Sequence, residues 1–324
     1  MAVSRGWQTS PAPRTASRAT IGRRARRAFA HHAAAYLFLL PAIIVFALFA
    51  WYPILKGFAL SFEHYQNNNV GLPAHWVGLD NYRALFADPS LNFGAVWLNT
   101  LQFTLYALAL GYIIPLGLAM MINEIRQGRA LFRVAFYMPV ILPTIVSMFI
   151  WQKALYDPDP NGFLNEVLGW LRIGPQPWIA DQGQAMICLV VAATWAAAGG
   201  TMLIYLAALQ GVPAHLYEAA EMDGAGLWRR LYHITLPRIR VIMLIMLLLQ
   251  IIATMQIFTE PWSLTGGGPV GETTTVMVTL YNTAFGSNGG AQDFGQASAI
   301  GVLLFCALGL FSGLYFLVTR RFSQ

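Results

Sequence analysis

The residues of this chain that could do chemistry fall into two groups, and neither has the make-up of a hydrolytic centre. The six histidines, His31, His32, His64, His75, His215 and His233, all fall in an amino-terminal tail or in polar connecting stretches. The two cysteines, Cys188 and Cys306, sit separately inside apolar runs. Nucleophilic or metal-assisted hydrolysis within such runs needs a partnering His or a cluster of ligands there, so this class is disfavoured. Two cysteines also give no disulfide framework. What the apolar runs do hold is neutral polar groups. One run offers Gln250, Thr254 and Gln256; another offers Thr194, Trp195, Gly199, Gly200 and Thr201. Polar groups in such runs are costly and tend to face a bundle interior or a water-filled path. Gln250 and Thr254 are four apart and share a helix face. An aromatic plate beside amides and hydroxyls suits a sugar, whose C–H face stacks while its hydroxyls hydrogen-bond. The competing account has the glycines bringing helices close and Thr or Gln bonding across helices without touching any solute. Residue chemistry leaves both open.

The second group is a polar stretch between two apolar runs, EAAEMDGAGLWRRLYHITLP, from Glu218 to Pro237. Upstream, Pro213 suits the first turn of a helix, where its missing N–H costs nothing. HLYEAAEM is helix-compatible, and Asp223-Gly224 breaks the helix, since Gly accepts a backbone angle that a side chain resists. LWRRLYHI then predicts a second short helix, with Pro237 opening the route into the next run. The expectation is a helix–turn–helix over 211–237. Leu216, Tyr217, Leu227, Trp228, Leu231 and Tyr232 give it more apolar surface than a lone loop leaves to water. Either a partner covers that surface, or the loop packs on its own bundle with Glu218 paired to Arg229 or Arg230.

The elements that must position these groups follow from composition. With 324 residues, 57% apolar and 10% charged, the chain has too little polar surface for an ordinary water-soluble domain. Apolar runs of about 20 residues cross a bilayer. Six spans are predicted: Ala34–Leu60, Leu98–Ile122, Leu131–Trp151, Ala185–Leu209, Val241–Leu264 and Ala297–Val318. The fold class is therefore an all-α integral membrane protein with six transmembrane helices. One domain is expected over 34–322, preceded by an Arg-rich tail over 1–33. Pro41 and Pro53 should bend the first span, and Pro139 and Pro143 the third. The loops between spans should carry short surface helices near Gly78–Pro89 and Phe163–Leu171. Gly266-Gly267-Gly268-Pro269 lacks the Gly-Lys-Ser/Thr of a phosphate cradle and reads as a backbone turn.

Charge fixes the expected orientation. Arg5, Arg14, Arg18, Arg23, Arg24, Arg26, Arg27, Arg126, Arg129, Arg133, Arg229, Arg230, Arg238, Arg240, Arg320 and Arg321 fall on one predicted side. Lys56, Arg83, Lys153 and Arg172 fall on the other, with ten of the fourteen acids. Cationic loops resist translocation, which places the Arg-rich side and both termini in the cytoplasm. The tail, free of acids, is expected to aid topology and rest on anionic lipid, not to bind nucleic acid or target mitochondria. Six spans would also fit a secondary transporter or channel. Those more typically carry acids within spans or an ion-filter motif, and no Asp or Glu lies mid-span here.

The Glu218–Pro237 stretch resembles the EAA loop of ABC-importer permeases: EAA, three residues, Gly, nine residues, then I-x-L-P. Glu218, Ala219, Ala220, Gly224, Ile234, Leu236 and Pro237 fall on that pattern without a gap, with Asp223 and Ala225 beside them. Val241 stands where many relatives have a second proline. VGLDNY (Val77–Tyr82), TGGGP (Thr265–Pro269) and DFGQASAIGVLLF before the last span extend the resemblance from Tyr36 to Phe322. It is to the larger permease subunit of carbohydrate importers of the maltose and glycerol-phosphate type, which can carry two extra amino-terminal spans and an outer insert without counterpart here.

The resemblance implies an ABC type I importer permease-like bundle in a prokaryotic inner membrane that is not itself an enzyme. It implies a second permease, two copies of an ATPase that use ATP and Mg, and an extracytoplasmic binding protein delivering a sugar-like solute. No cofactor is expected on this chain. The EAA loop would dock on the ATPase, with Glu218 in polar contact, Gly224 setting the bend, and Ala219 and Ala220 permitting close approach. Counting back from that loop, Trp195, Ala196, Ala197 and Gly200 fall where the maltose-type subunit lines its sugar site. Counting back from Gly-Gly-Pro, so do Gln250, Ala253, Thr254 and Ile257. Few residue types are kept, so maltose itself is not implied.

Overall fold

The computed structural model describes residues 36–65, 75–125, 127–286 and 292–320. The tail over 1–33, Arg126 and Arg321 lie outside the described residues. The chain divides into two compact units, Met1–Gly57 and Phe58–Gln324. Helix α1 (Tyr36–Leu60) supplies the described part of the first and enters the second with its last turn.

The second unit begins with an antiparallel pair, β1 (Glu63–His64) and β2 (His75–Trp76), in which Glu63 faces Trp76. Then follow α2 (Asp80–Ala87), α3 (Phe93–Glu124), α4 (Arg129–Ile141), α5 (Thr144–Leu155) and α6 (Phe163–Trp170). Next come α7 (Gln182–Gln210), α8 (Ala214–Met222) and α9 (Leu227–Met255). The chain closes with α10 (Thr259–Leu264), α11 (Val276–Phe285) and α12 (Phe294–Thr319). Helices α1, α3, α7, α9 and α12 are each long and apolar enough to cross a membrane, and α4 with α5 makes a sixth span if the bent pair counts as one.

Proline placement explains where these helices bend. The expected kink in span three is a break of 100° between α4 and α5. Pro139 sits inside α4, whereas Leu142 is extended at ψ 136, as the residue before Pro143 prefers. Pro53 and Pro237 do not break their helices. A π turn precedes each, Ala47–Trp51 and Leu231–Thr235. In each, the residue just before the proline donates five residues back, Tyr52 to Ala47 and Leu236 to Leu231. Widening the ladder there relieves the clash a proline ring makes with the carbonyl four residues earlier. The expected second short helix of the polar stretch is therefore the start of α9 itself. The far end of span five also differs from expectation. Its helix stops at Met255, and Thr259–Leu264 is a separate short helix, α10.

Helices α3 and α7 pack most extensively against each other and form the centre of the core. Buried Phe103, Ala107, Cys188, Leu189 and Ala192 lie in one cluster, and Ala119, Ile122, Met202, Tyr205 and Leu206 in another. Helix α4 comes close to α7 at Gly199, where a Cβ would lie 2.3 Å from the Phe136 carbonyl oxygen. Asp181 and Asp293 cap α7 and α12 through the N–H groups of Gln184 and Gln296.

The loops are closed by buried polar side chains. Asn81, in VGLDNY, donates to the Ser61 and Glu63 carbonyls. Asn165, 3% exposed, accepts from the Gln176 and Trp178 N–H groups and donates to the carbonyls of Asp157, Asp159 and Gln176. In the Gly-rich loop, Thr273 donates to Gly268, Thr274 to Gly267 and Thr275 to Ile257. The loop's polar groups are spent on its own closure, as expected of a backbone turn.

Candidate functional site

The EAA residues form a closed structural unit. Helix α8 ends in a Schellman motif: Ala225 N–H donates to the Ala220 carbonyl at 2.8 Å and Gly224 N–H to Glu221 at 3.0 Å. Asp223 N–H donates to Ala219 at 3.0 Å. The motif needs a left-handed residue after the cap, and Gly224 supplies it at φ 70. No heavy atom lies within 4 Å of where its Cβ would be, so the constraint comes from the backbone alone. Gly226 then accepts from the N–H groups of Arg229 and Arg230 and starts α9.

Two side-chain ties hold α8 against α9. The Tyr217 hydroxyl meets the buried Thr235 hydroxyl at 3.1 Å, and Thr235 Oγ1 donates to the Arg230 carbonyl within the π turn. Arg230 pairs with Glu221 at 3.7 Å. Glu218 is exposed and pairs with neither Arg229 nor Arg230, so the self-packing alternative loses its ion pair. Leu216, Tyr217 and Leu231 are half-buried, unlike the expectation of exposure. Trp228, Tyr232 and Leu227 are exposed, and Met222 at 90% is the most exposed of all. Ile234 and Leu236 are half-buried, and Pro237 is exposed. An apolar groove of about 470 Å³ runs between this unit and α3, lined by Met120, Met121, Tyr217, Leu227, Trp228 and Leu231.

The expected solute-binding residues separate. Ala197, Gln250, Ala253, Thr254 and Ile257 line one cavity of about 140 Å³ among α3, α7 and the end of α9, together with Thr194 and Thr201. Gln250 reaches from α9 to the Ala107 carbonyl of α3 at 3.4 Å, with Gly111 leaving room for its amide. Thr254 donates back to the Gln250 carbonyl at 2.8 Å. Trp195 faces a different, apolar cavity of about 340 Å³ with Trp151, Phe136 and Pro139, and stands edge-on to Trp151 at 5.8 Å. Ala196 packs on the core cluster of Phe103 and Leu189, and Gly200 lies nearest Val140 of α4. The aromatic plate and the amide group thus occupy separate cavities.

Three features went unread in the sequence. Tyr217 and Thr235 are eighteen apart with no pattern linking them. Met222 falls on the outer face of a helix too short to show a clear apolar stripe. Glu260 lines the same cavity as Gln250 and Thr254, and among the described residues no other side chain bonds or ion-pairs with it. It sits in α10, beyond the end of α9, where burial raises its carboxyl above the ordinary carboxylate range. Placing Glu260 inside an expected span end hid it.

Comparison with known proteins gives this arrangement a family. The sequence matches the family described as "Binding-protein-dependent transport system inner membrane component" over residues 111–324. It is 32% identical over 280 residues to the arabinooligosaccharides transport system permease protein AraP of Bacillus subtilis, covering 85% of each chain. The trehalose/maltose transport system permease protein MalF of Thermococcus litoralis is 32% identical over 285 residues, 88% of this chain and 93% of its own. The sn-glycerol-3-phosphate transport system permease protein UgpA of Yersinia pestis is 32% identical over 272 residues, 83% and 88%. Among solved structures, a chain of a bacterial alginate ABC transporter in complex with its pentasaccharide-bound periplasmic protein superposes with a TM-score of 0.78. That match is 22% identical and covers 92% of this chain and 98% of the other. The fold is that of a type I importer permease, and these relatives are transport subunits, not enzymes. The chain therefore belongs to the binding-protein-dependent transport system inner membrane components, as a permease subunit of a carbohydrate ABC importer.

Proposed function

We propose that this chain forms half of the translocation path of an ATP-driven importer and couples to its motor through 211–237. A second permease completes the path. Two copies of an ATP-binding subunit hold ATP and Mg. An extracytoplasmic binding protein hands the solute to the loops on the far side. Both termini lie in the cytoplasm, the side on which the arginines of 229–240 also fall. The relatives carry neutral cargo, such as arabinooligosaccharides or trehalose and maltose, and anionic cargo such as glycerol 3-phosphate. A sugar or related polar solute is the cargo class here.

The observation that carries this reading is the Schellman-closed foot with its uncovered apolar side chains. Met222, Leu227, Trp228 and Tyr232 project from a segment that its own bonds already hold rigid. Such a surface on a braced turn is built to enter a cleft on another protein. Ala219 is exposed next to Glu218, so a thiol placed by Ala219→Cys would face that partner. In native vesicles it should crosslink to a nucleotide-hydrolysing subunit, with a yield that changes when ATP is added. Crosslinks only to lipid or to this chain would overturn the coupling role. A stoichiometric ATPase in mild-detergent extracts would separately exclude a secondary transporter.

A further inference from the structure

Among the described residues, the wall of the cavity that holds Gln250 and Thr254 has one ionisable group, Glu260, and no lysine, arginine or histidine. We propose that Glu260 sets the charge class of the permeant: the cavity accepts neutral polyhydroxylated solutes or ones bearing a cationic group, and opposes anionic sugars. This rests on the translocation reading above and deepens it.

Three observations carry the assignment. First, Glu260 has no compensating cation among the described residues, so in its ionised form its negative charge falls on whatever occupies the cavity. An anion brought within a few ångström of a carboxylate in a partly dehydrated site is strongly repelled. Second, the donors in the cavity wall are all neutral: the Gln250 amide and the Thr254 hydroxyl, which bond the Ala107 and Gln250 carbonyls, and the hydroxyls of Thr194 and Thr201. Recognition of phosphate or carboxylate needs free donors, preferably a guanidinium or ammonium. The Glu260 carboxylate adds acceptor capacity, which matches the O–H donors of a diol or the N–H donors of an amine. Third, Glu260 stands on α10, just past the break that ends α9 at Met255. A continuous helix would carry residue 260 further along the α9 axis. Past that break it lines the cavity that Thr254 and Ile257 also line.

The test needs no knowledge of the solute. The complete complex is assembled in vesicles with Cys188→Ala and Cys306→Ala, and a reporter thiol is placed in the cavity wall by Thr201→Cys. Modification rates are measured for two methanethiosulfonate reagents of similar size, one trimethylammonium and one sulfonate, with and without ATP. The cation-to-anion rate ratio, normalised to a simple thiol in solution, should be at least about tenfold above unity. Glu260→Gln, nearly isosteric, should bring it close to unity, and Glu260→Asp should keep most of it. An unchanged ratio in Glu260→Gln overturns the proposal. So does a thiol that neither reagent reaches in any nucleotide state, since the cavity is then closed to solutes. Crosslinking of the Ala219→Cys foot reports the transport reading independently. A collapsed ratio with no ATPase crosslink would leave the charge assignment standing and the coupling reading lost; an intact crosslink with an unchanged ratio would do the reverse.

Discussion

Gly224 offers the sharpest test of how the foot works, because backbone and space make opposite demands there. Its φ of 70 lies in the left-handed region, and nothing lies within 4 Å of the position a Cβ would take. A side chain therefore fits but pays the left-handed cost, about 1–2 kcal/mol for alanine. That shifts the equilibrium of the Schellman turn by roughly 5- to 30-fold toward frayed states. Asparagine tolerates this conformation with little penalty. Aspartate shares the tolerance but adds a negative charge at the carbonyl end of α8, beside Asp223 and Glu221, where the helix dipole disfavours it. If the bend is what the motor needs, uptake at equal membrane levels should rank Gly, then Asn, then Asp, with Ala below Asn and Val lowest. Vesicle uptake of labelled solute, normalised to immunoblotted permease and ATPase, gives the ranking. Equal loss in Asn and Ala would mean that the partner needs the empty space, not the backbone angle. Wild-type uptake in Ala would remove the turn from the mechanism.

Three further predictions follow from distances at the same elements. Tyr217→Phe and Thr235→Val each remove the 3.1 Å bond between α8 and α9 and should cost about 1 kcal/mol of local stability. Because Thr235→Val also removes the bond to the Arg230 carbonyl, the double variant should cost no more than Thr235→Val alone, measured by hydrogen exchange at 214–235; additive losses would show that the Tyr217–Thr235 bond is not shared. Gly199→Ala places a Cβ 2.3 Å from the Phe136 carbonyl and should lower the melting temperature of the detergent-solubilised complex, at a cost of about 1–3 kcal/mol. Gly200→Ala, whose Cβ would meet only Val140 at 3.9 Å, should be neutral, and equal effects at both would discard the close-packing account. Gln250→Ala should change the apparent affinity of solute uptake while Trp195→Ala leaves it unchanged, because the two side chains line different cavities. The opposite pattern would move the path to the Trp195 side of α7.

Much of this fold was legible because it follows from two strong signals. Apolar run length marks spans wherever backbone groups must be satisfied within lipid, and the Asp223-Gly224 break falls where the Schellman turn closes. What was misread depends on where hydrogen bonds go, which composition does not record. Pro53 is expected to bend its span and Pro237 to open the route into the next, and the π turn that precedes each and lets its helix run on has no mark in the composition. Pro143 does break its span because Leu142 takes the extended conformation. Span five was read to Leu264 because IFTEPWSL stays fairly apolar, whereas the helix ends at Met255. Helix α11 is apolar but only ten residues long, too short to register as a span. The split between Trp195 and Ala197 was foreseeable: residues two apart on a helix point about 200° apart. Counting back from a motif preserved sequence distance and ignored that angle.

The geometry that separates the EAA foot from the cavity also joins them. Helix α9 begins in the foot at Leu227 and runs without interruption to Met255, carrying Gln250 and Thr254 near its far end. From Leu231 to Gln250 this is roughly 30 Å at about 1.5 Å per residue. The foot cannot easily swing free of that rod, since Tyr217 and Glu221 of α8 are tied to Thr235 and Arg230 of α9. The one place where the rod's ladder is loosened is the π turn over Leu231–Thr235, and the Thr235 hydroxyl braces it. On the proposed function, a displacement of the foot is therefore delivered to the wall of the cavity as movement of a single helix, which is bonded to α3 by the Tyr112 hydroxyl on the Met243 carbonyl at 3.0 Å and by the Gln250 amide on the Ala107 carbonyl. At 3.4 Å the Gln250 bond is the longer and weaker of these two, whereas detaching the foot from α9 would require breaking the Tyr217–Thr235 and Glu221–Arg230 ties and the turn that orients them.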